Sequence, residues 1–174
     1  MMNAGSKSMW DDIFSMRTLS KKTQYTLRAL YGLTRRYGQG PTLIASLAKE
    51  ESIPHDFLEN ILLNLKHEGL VESKKGKGGG YSLAVDPEKL TLGTVIRLVE
   101  GPLAPLPCAS ETAYRKCEEC VDASVCGTRL VMREVRDAIA SILDRTTLAQ
   151  VCRRVDEARA SRTDGDDASL MYYI

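Results

Sequence analysis

The feature that most constrains this chain is a change of periodicity at Gly69. Up to that point apolar residues recur at helical spacing in three short segments. Beyond it the pattern becomes extended, with Leu70-Val71-Glu72-Ser73-Lys74 and Tyr81-Ser82-Leu83-Ala84-Val85 on either side of Lys75-Gly76-Lys77-Gly78-Gly79-Gly80. So many glycines disfavour a helix and suit a mobile basic loop, so the two runs read as the strands of a hairpin. The fold class that follows is mainly α with one small β-hairpin.

The helices before the hairpin carry their own punctuation. Ser20 is a candidate N-cap for the first, which places Tyr25, Leu27, Leu30, Tyr31 and Leu33 at apolar positions and stops at Gly38-Gln39-Gly40-Pro41. Thr42 is expected to cap a short second helix bearing Ile44, Leu47 and Ala48. Ser52-Ile53 forms a tight turn, and Pro54 suits the first turn of a third helix. Phe57, Leu58, Ile61, Leu62 and Leu65 form its apolar stripe, and Gly69 ends it. After the hairpin, Thr91 is expected to cap a fourth helix through Val95, Ile96, Leu98 and Val99, which Gly101-Pro102 terminates.

From Thr128 to Leu143 the pattern is helical again. Val131, Val135, Ala138 and Ile142 are spaced as a heptad-like seam, read as a pairing surface between two subunits rather than a core face. A C-terminal helix after Thr146-Thr147-Leu148 carries Cys152 as a packing residue. The expected division is an extension over residues 1–15, a DNA-binding unit over 16–101, a cysteine-rich loop over 102–127, pairing and C-terminal helices over 128–160, and a disordered tail over 161–174.

No apolar run approaches the length of about 20 residues that spans a bilayer, and the opening residues carry Lys7, Asp11 and Asp12 without an apolar core. A cytoplasmic location is expected, where thiols stay reduced and serve as ligands or redox groups. The formal net charge of +1 conceals an asymmetry. Between Met16 and Gly40 stand six basic residues (Arg17, Lys21, Lys22, Arg28, Arg35 and Arg36) and no acidic one. Lys74, Lys75 and Lys77 form a second basic group, offset by Glu111, Glu118, Glu119, Asp122 and the tail aspartates. Such patches permit nucleic-acid binding.

Three helices followed by a hairpin with a basic tip form a winged helix-turn-helix pattern. The third helix would present its first turn to base edges in the major groove, and the wing lysines would follow the phosphate backbone. The residues then carry a resemblance. Leu19-Ser20-Lys21-Lys22-Thr23-Gln24-Tyr25-Thr26-Leu27-Arg28, Ile53-Pro54-His55-Asp56-Phe57-Leu58-Glu59, the segment from Gly69 to Leu83, and Val99-Glu100-Gly101-Pro102-Leu103 are similar to the Rrf-type winged-helix transcriptional regulators, over roughly Met16 to Val155. The resemblance implies a DNA-binding homodimer, a repressor, with double-stranded operator DNA as partner and no enzymatic activity. It places Tyr25, His55, Asp56 and Glu59 at the DNA, with Lys75 at the wing tip where arginine is usual. Lysine there would hold phosphate but read a narrow minor groove less well than a planar guanidinium. Lys21, Lys22, Thr42, Lys74 and Lys77 complete the candidate contacts. A carboxylate such as Glu59 accepts from a cytosine amino group and penalises other bases.

Four of the five cysteines, Cys108, Cys117, Cys120 and Cys126, fall between the fourth helix and the seam. Thiolates this close suit zinc, copper or an iron–sulfur cluster, or can form disulfides. Cys117-x2-Cys120 alone reads as half a zinc site or a redox pair. By resemblance, Cys120-x5-Cys126 matches the second and third cluster cysteines of the family's iron–sulfur members, and Cys108 fits the first. A histidine expected three positions after Cys126 is replaced by Arg129, and a carboxylate expected in the first helix by Gln24, so Cys117 becomes the candidate fourth ligand. The expected mechanism is a cluster or redox change in the loop that alters the spacing of two recognition helices. Two other readings stand beside it: a regulator of this fold that answers to a metabolite or partner protein with structural cysteines, and a thiol oxidoreductase.

Overall fold

A computed structural model describes residues 19–163 of the chain apart from Glu119. The expectations for residues 1–15 and for the tail from 164 lie outside these residues. The described elements run α1 (Lys21–Thr34), α2 (Ile44–Glu50), α3 (His55–His67), β1 (Val71–Lys74), β2 (Gly80–Leu83), α4 (Leu92–Glu100), a 3₁₀ turn (Pro107–Ala109), α5 (Gly127–Leu143) and α6 (Leu148–Thr163). The chain is mainly helical with one antiparallel hairpin, as the periodicity change requires.

Ser20 caps α1 through a bond from the Thr23 amide to its Oγ at 3.2 Å. Thr91 caps α4 in the same way, accepting from the Thr94 amide at 3.2 Å. These side-chain oxygens satisfy amides that the first helical turn leaves without partners. The core lies where α1, α2 and α3 meet the hairpin. Leu30, Leu47, Leu58 and Leu62 are fully buried in it, each contributing about 2 kcal/mol by removal from water. Leu148 of α6 closes the same core from the C-terminal side, and Val95 and Ile96 join it from α4.

Four local expectations need correction. Thr42 does not cap α2. The cap position is Leu43, without a side-chain bond, while the Thr42 backbone exchanges two bonds with Tyr81 at 2.8 and 2.9 Å. This bridge ties the α1–α2 connection to β2, so the local choice of a cap is overridden by a tertiary one. Pro54 stands at the cap of α3, one residue before its first turn. Phe57 does not join the apolar stripe: it is 45% exposed, whereas Leu58, Ile61, Leu62 and Leu65 are buried. The C-terminal helix continues to Thr163, past the expected boundary at Ala160. The strands are also a residue or two shorter than the alternating runs suggested, pairing Val71 with Leu83 and Lys74 with Gly80.

The α5 helix differs from the others in what it leaves uncovered. Val131, Val135 and Ile142 are 52%, 38% and 63% exposed, and Ala138 is exposed with them. The seam therefore has no cover within the chain, although the helix is well anchored. At its C-terminal end Asp144 receives two bonds from Arg97 of α4, at 2.5 and 2.9 Å. That bond holds the Asp144 carboxyl below its ordinary range. Gly93 lies one turn before Arg97, and a Cβ there would collide with the Asp144 carboxylate.

Candidate DNA interface and cysteine loop

The first turn of α3 presents His55, Asp56 and Glu59 to solvent, with Asn60 one turn on. The Asp56 side chain is fully exposed, and the His55 ring lies 3.6 Å from its carboxylate. Asn60 donates to the Asp56 carbonyl at 2.9 Å, which leaves its own carbonyl oxygen facing outward with the carboxylates. Beside this turn the Tyr25 ring of α1 meets Phe57 edge-on, with centroids 5.6 Å apart and planes at 75°. The Arg28 guanidinium lies 5.9 Å over the other part of the Tyr25 ring. Edge-to-face contacts and a cation over an aromatic face each contribute about 1 kcal/mol and fix the rings in place.

The basic N-terminal stretch is less free than its composition suggests. Arg35 pairs with Glu51, and Arg36 pairs with Glu50 at 2.6 Å, so both guanidinia tie α1 to α2. Lys21 and Lys22 stay exposed at the start of α1. Thr42, a candidate contact, is only 4% exposed, and its backbone belongs to the bridge with Tyr81. It is therefore corrected from a surface contact to a buried link.

Lys74, Lys75 and Lys77 are exposed at the tip of the hairpin. The turn closes by a bond from the Gly79 amide to the Gly76 carbonyl at 2.9 Å. Gly76 and Gly78 have φ of +90° and +75°, a region where side chains are disfavoured, so the glycines permit a tight tip with lysines facing out.

The cysteine loop is held by α5 rather than by its own sequence. Arg129 donates to the Cys108 carbonyl at 2.9 Å and to the Ala123 carbonyl at 3.1 Å, and its guanidinium lies 5.5 Å over the Tyr114 ring. The residue expected to leave a gap in the ligand set thus closes the loop itself. Arg136, 7% exposed, donates to the Ala109 carbonyl at 2.6 Å and pairs with Asp137 and Glu111. Nothing in the loop's composition announced these clamps, because the partners are backbone carbonyls.

Cys117 is exposed, and Cys108, Cys120 and Cys126 are half-buried. The Cys120 amide donates to the Cys117 carbonyl at 3.3 Å, and the Cys120 and Cys126 thiols share a hydrogen bond. Partial desolvation, followed by the sulfurs of Cys126 and Cys117, pushes the Cys120 thiol up from its ordinary value. Among the described residues no three His, Cys, Asp or Glu side chains converge as metal ligands would. The four-thiol set therefore does not fit a cluster in this arrangement. Gln24, at the other expected ligand position, donates to the Leu19 carbonyl at 2.7 Å. Cys152 is buried against α1, its thiol raised by burial and 3.8 Å from the Tyr31 carbonyl, as a packing residue would be.

Residues 19–154 match the Rrf2 family model, described as an iron-dependent transcriptional regulator. An rrf2-like HTH-type transcriptional regulator of Rhodobacter capsulatus is 38% identical over 133 residues, covering 75% of this chain and 89% of the relative. The structure of CymR, the global cysteine regulator of B. subtilis, aligns with a TM-score of 0.66 at 32% identity, over 80% of this chain and 98% of CymR. IscR of T. potens aligns with a TM-score of 0.65 at 29% identity, over 83% of this chain and 92% of its own. These relatives are regulators rather than enzymes, and the described residues contain no helix long and apolar enough to cross a membrane. By its sequence match, its hairpin and its helical order, the chain belongs to the Rrf2 family of DNA-binding transcriptional regulators.

Proposed function

We propose that this protein is a cytoplasmic, homodimeric repressor whose affinity for promoter operators is set by the redox state of its cysteine loop. The observation that carries this reading is the contact between the Cys120 and Cys126 thiols at the base of α5. That contact lies where the loop meets the exposed apolar seam. In the proposed division, residues 16–101 bind DNA, 102–127 sense, and 128–160 pair two subunits about a two-fold axis. The recognition helices of such a dimer must sit about one DNA turn apart, roughly 34 Å, so a small change at the base of α5 alters affinity strongly.

The redox step balances with a peroxide as oxidant. The Cys120 and Cys126 thiols lose two protons and two electrons and form one sulfur–sulfur bond, and hydrogen peroxide takes up both to give two waters. Because Arg129 and Arg136 already hold the loop, the new bond would act on an ordered segment and shift the start of α5. No step is routed through a cluster.

The test uses the full chain and duplexes that it selects from a random-sequence pool. Peroxide treatment is expected to remove two free thiols and change operator affinity at least about ten-fold, the scale of a typical coupling between sites. Cys120→Ser should abolish the response while leaving the reduced-state affinity intact. Equal affinity of reduced and oxidised wild type would overturn the redox reading. Iron and sulfide in anaerobically purified protein, lost in Cys117→Ala, would replace it with the cluster that the family description suggests.

Salt dependence supplies a separate expectation. Affinity should fall linearly on a log–log plot, and replacing Lys74, Lys75 and Lys77 by alanine should flatten the slope by about 2 to 3, close to one per lost phosphate contact. An unchanged slope would remove the wing from the interface.

A further inference from the structure

We infer that Phe57 reads thymine in each operator half-site through the base's C5-methyl group. The inference rests on the operator-binding reading above and adds a sequence preference to it.

Phe57 stands in the first turn of α3, the part of a recognition helix that enters the major groove. Its place on the helix is unusual for so apolar a side chain. The buried stripe of α3 is complete without it, in Leu58, Ile61, Leu62 and Leu65, and the ring remains 45% exposed. It is nevertheless held firmly. Tyr25 meets it edge-on at 5.6 Å, and Arg28 lies over Tyr25 at 5.9 Å, so the three side chains form a ladder from α1 to α3. A ring already fixed in its docked position loses little rotamer freedom when DNA arrives.

The surrounding chemistry narrows what this ring can meet. Asp56, Glu59 and Asn60 are polar neighbours suited to amino groups on base edges. Phe57 is the apolar surface among them, and in the major groove the only apolar group on a standard base pair is the thymine methyl. That methyl projects at the side of the groove next to its own strand's backbone. Lys21 and Lys22, exposed on the same helix as Tyr25 and Arg28, would hold that backbone, which seats the ladder beside the methyl. Cytosine offers a polar C–H and an amino group at the corresponding edge, so it lacks the partner that Phe57 requires.

The deciding experiment exchanges single thymines for uracil, which removes the methyl and nothing else. The full chain first selects duplexes from a random pool, and its affinity is measured on the best of them with deoxyuridine at each thymine in turn. One thymine position per half-site should lose about four-fold on this exchange, the worth of one buried methyl, and exchange in both half-sites should lose about fifteen-fold. Phe57→Ala should bind the thymine duplex correspondingly more weakly and show no further loss with uracil. 5-Methylcytosine opposite guanine at that position should recover part of the affinity in wild type alone. Wild type that binds thymine and uracil duplexes equally at every position would overturn the inference without any variant. So would a Phe57→Ala protein that retains the uracil penalty. A pool that enriches no motif at all would sink operator binding itself, a different result from either.

Discussion

Gly80→Ala is expected to lower the melting temperature by about 6–12 °C, close to 3 kcal/mol for a chain of this length. The loss has two physical sources at one position. Gly80 has φ +146°, where a side chain is strained, and its Cβ would press into the backbone carbonyl of Thr42. Backbone cannot swing aside as a side-chain tip can. The clash would break the Thr42–Tyr81 bridge, which fastens the hairpin to the helical core. Gly76→Ala is the internal control. Its φ is +90°, but nothing lies within 4 Å of the added Cβ, so about 1 kcal/mol of strain is expected there. Thermal melts followed by circular dichroism check both, and equal melting of wild type and Gly80→Ala would refute the proposed role of the bridge.

Val135→Asp combined with Ile142→Asp is expected to leave the fold intact and to reduce operator affinity at least about 100-fold. Both side chains are exposed in the single chain, so their replacement removes no core packing. Two carboxylates per subunit would face each other across a two-fold seam, where desolvation and like-charge repulsion oppose association. Without pairing, each half-site is bound alone, and the avidity of two linked contacts, typically a factor of 10² to 10⁴, is lost. Sedimentation velocity should show monomers with an unchanged melting curve. A variant that stays dimeric would move the pairing surface off this face of α5.

The sequence made the local parts of this structure legible. Ser20 and Thr91 act within their own first turns, so their capping bonds depend only on residues three positions away. The hairpin was legible for a similar reason, since the glycines and the alternation sit side by side. Thr42 misled because a threonine before a helix normally caps it, whereas here the bridge to Tyr81, far along the chain, decided its backbone. Phe57 misled because its spacing fits the apolar stripe to within one position, and the helix rotation that excludes it is set by packing. The links that organise the candidate sensor were invisible for a different reason. Arg97–Asp144 joins residues 47 positions apart, and Arg136 reaches a carbonyl 27 positions away. Gly93 did carry a signal, since a glycine inside a helix indicates either weakness or close approach, and here it makes room for Asp144.

Glu100 carries a consequence for the DNA-facing end of α1. Its carboxylate accepts from the Ser20 amide at 2.7 Å and from the Thr23 hydroxyl at 2.5 Å, although α1 has no acidic residue in its own first turn. The positive end of the α1 dipole is thus already neutralised by an anion borrowed from the last residue of α4. A DNA phosphate approaching this end would compete with that carboxylate for the same donors, and would be left to the side chains of Lys21 and Lys22. Gly101 follows Glu100 directly and opens the path to the cysteine loop, with φ +85°. A pull on that loop strong enough to withdraw Glu100 would exchange a resident anion for a vacancy at the helix end, and so would change which anion α1 prefers.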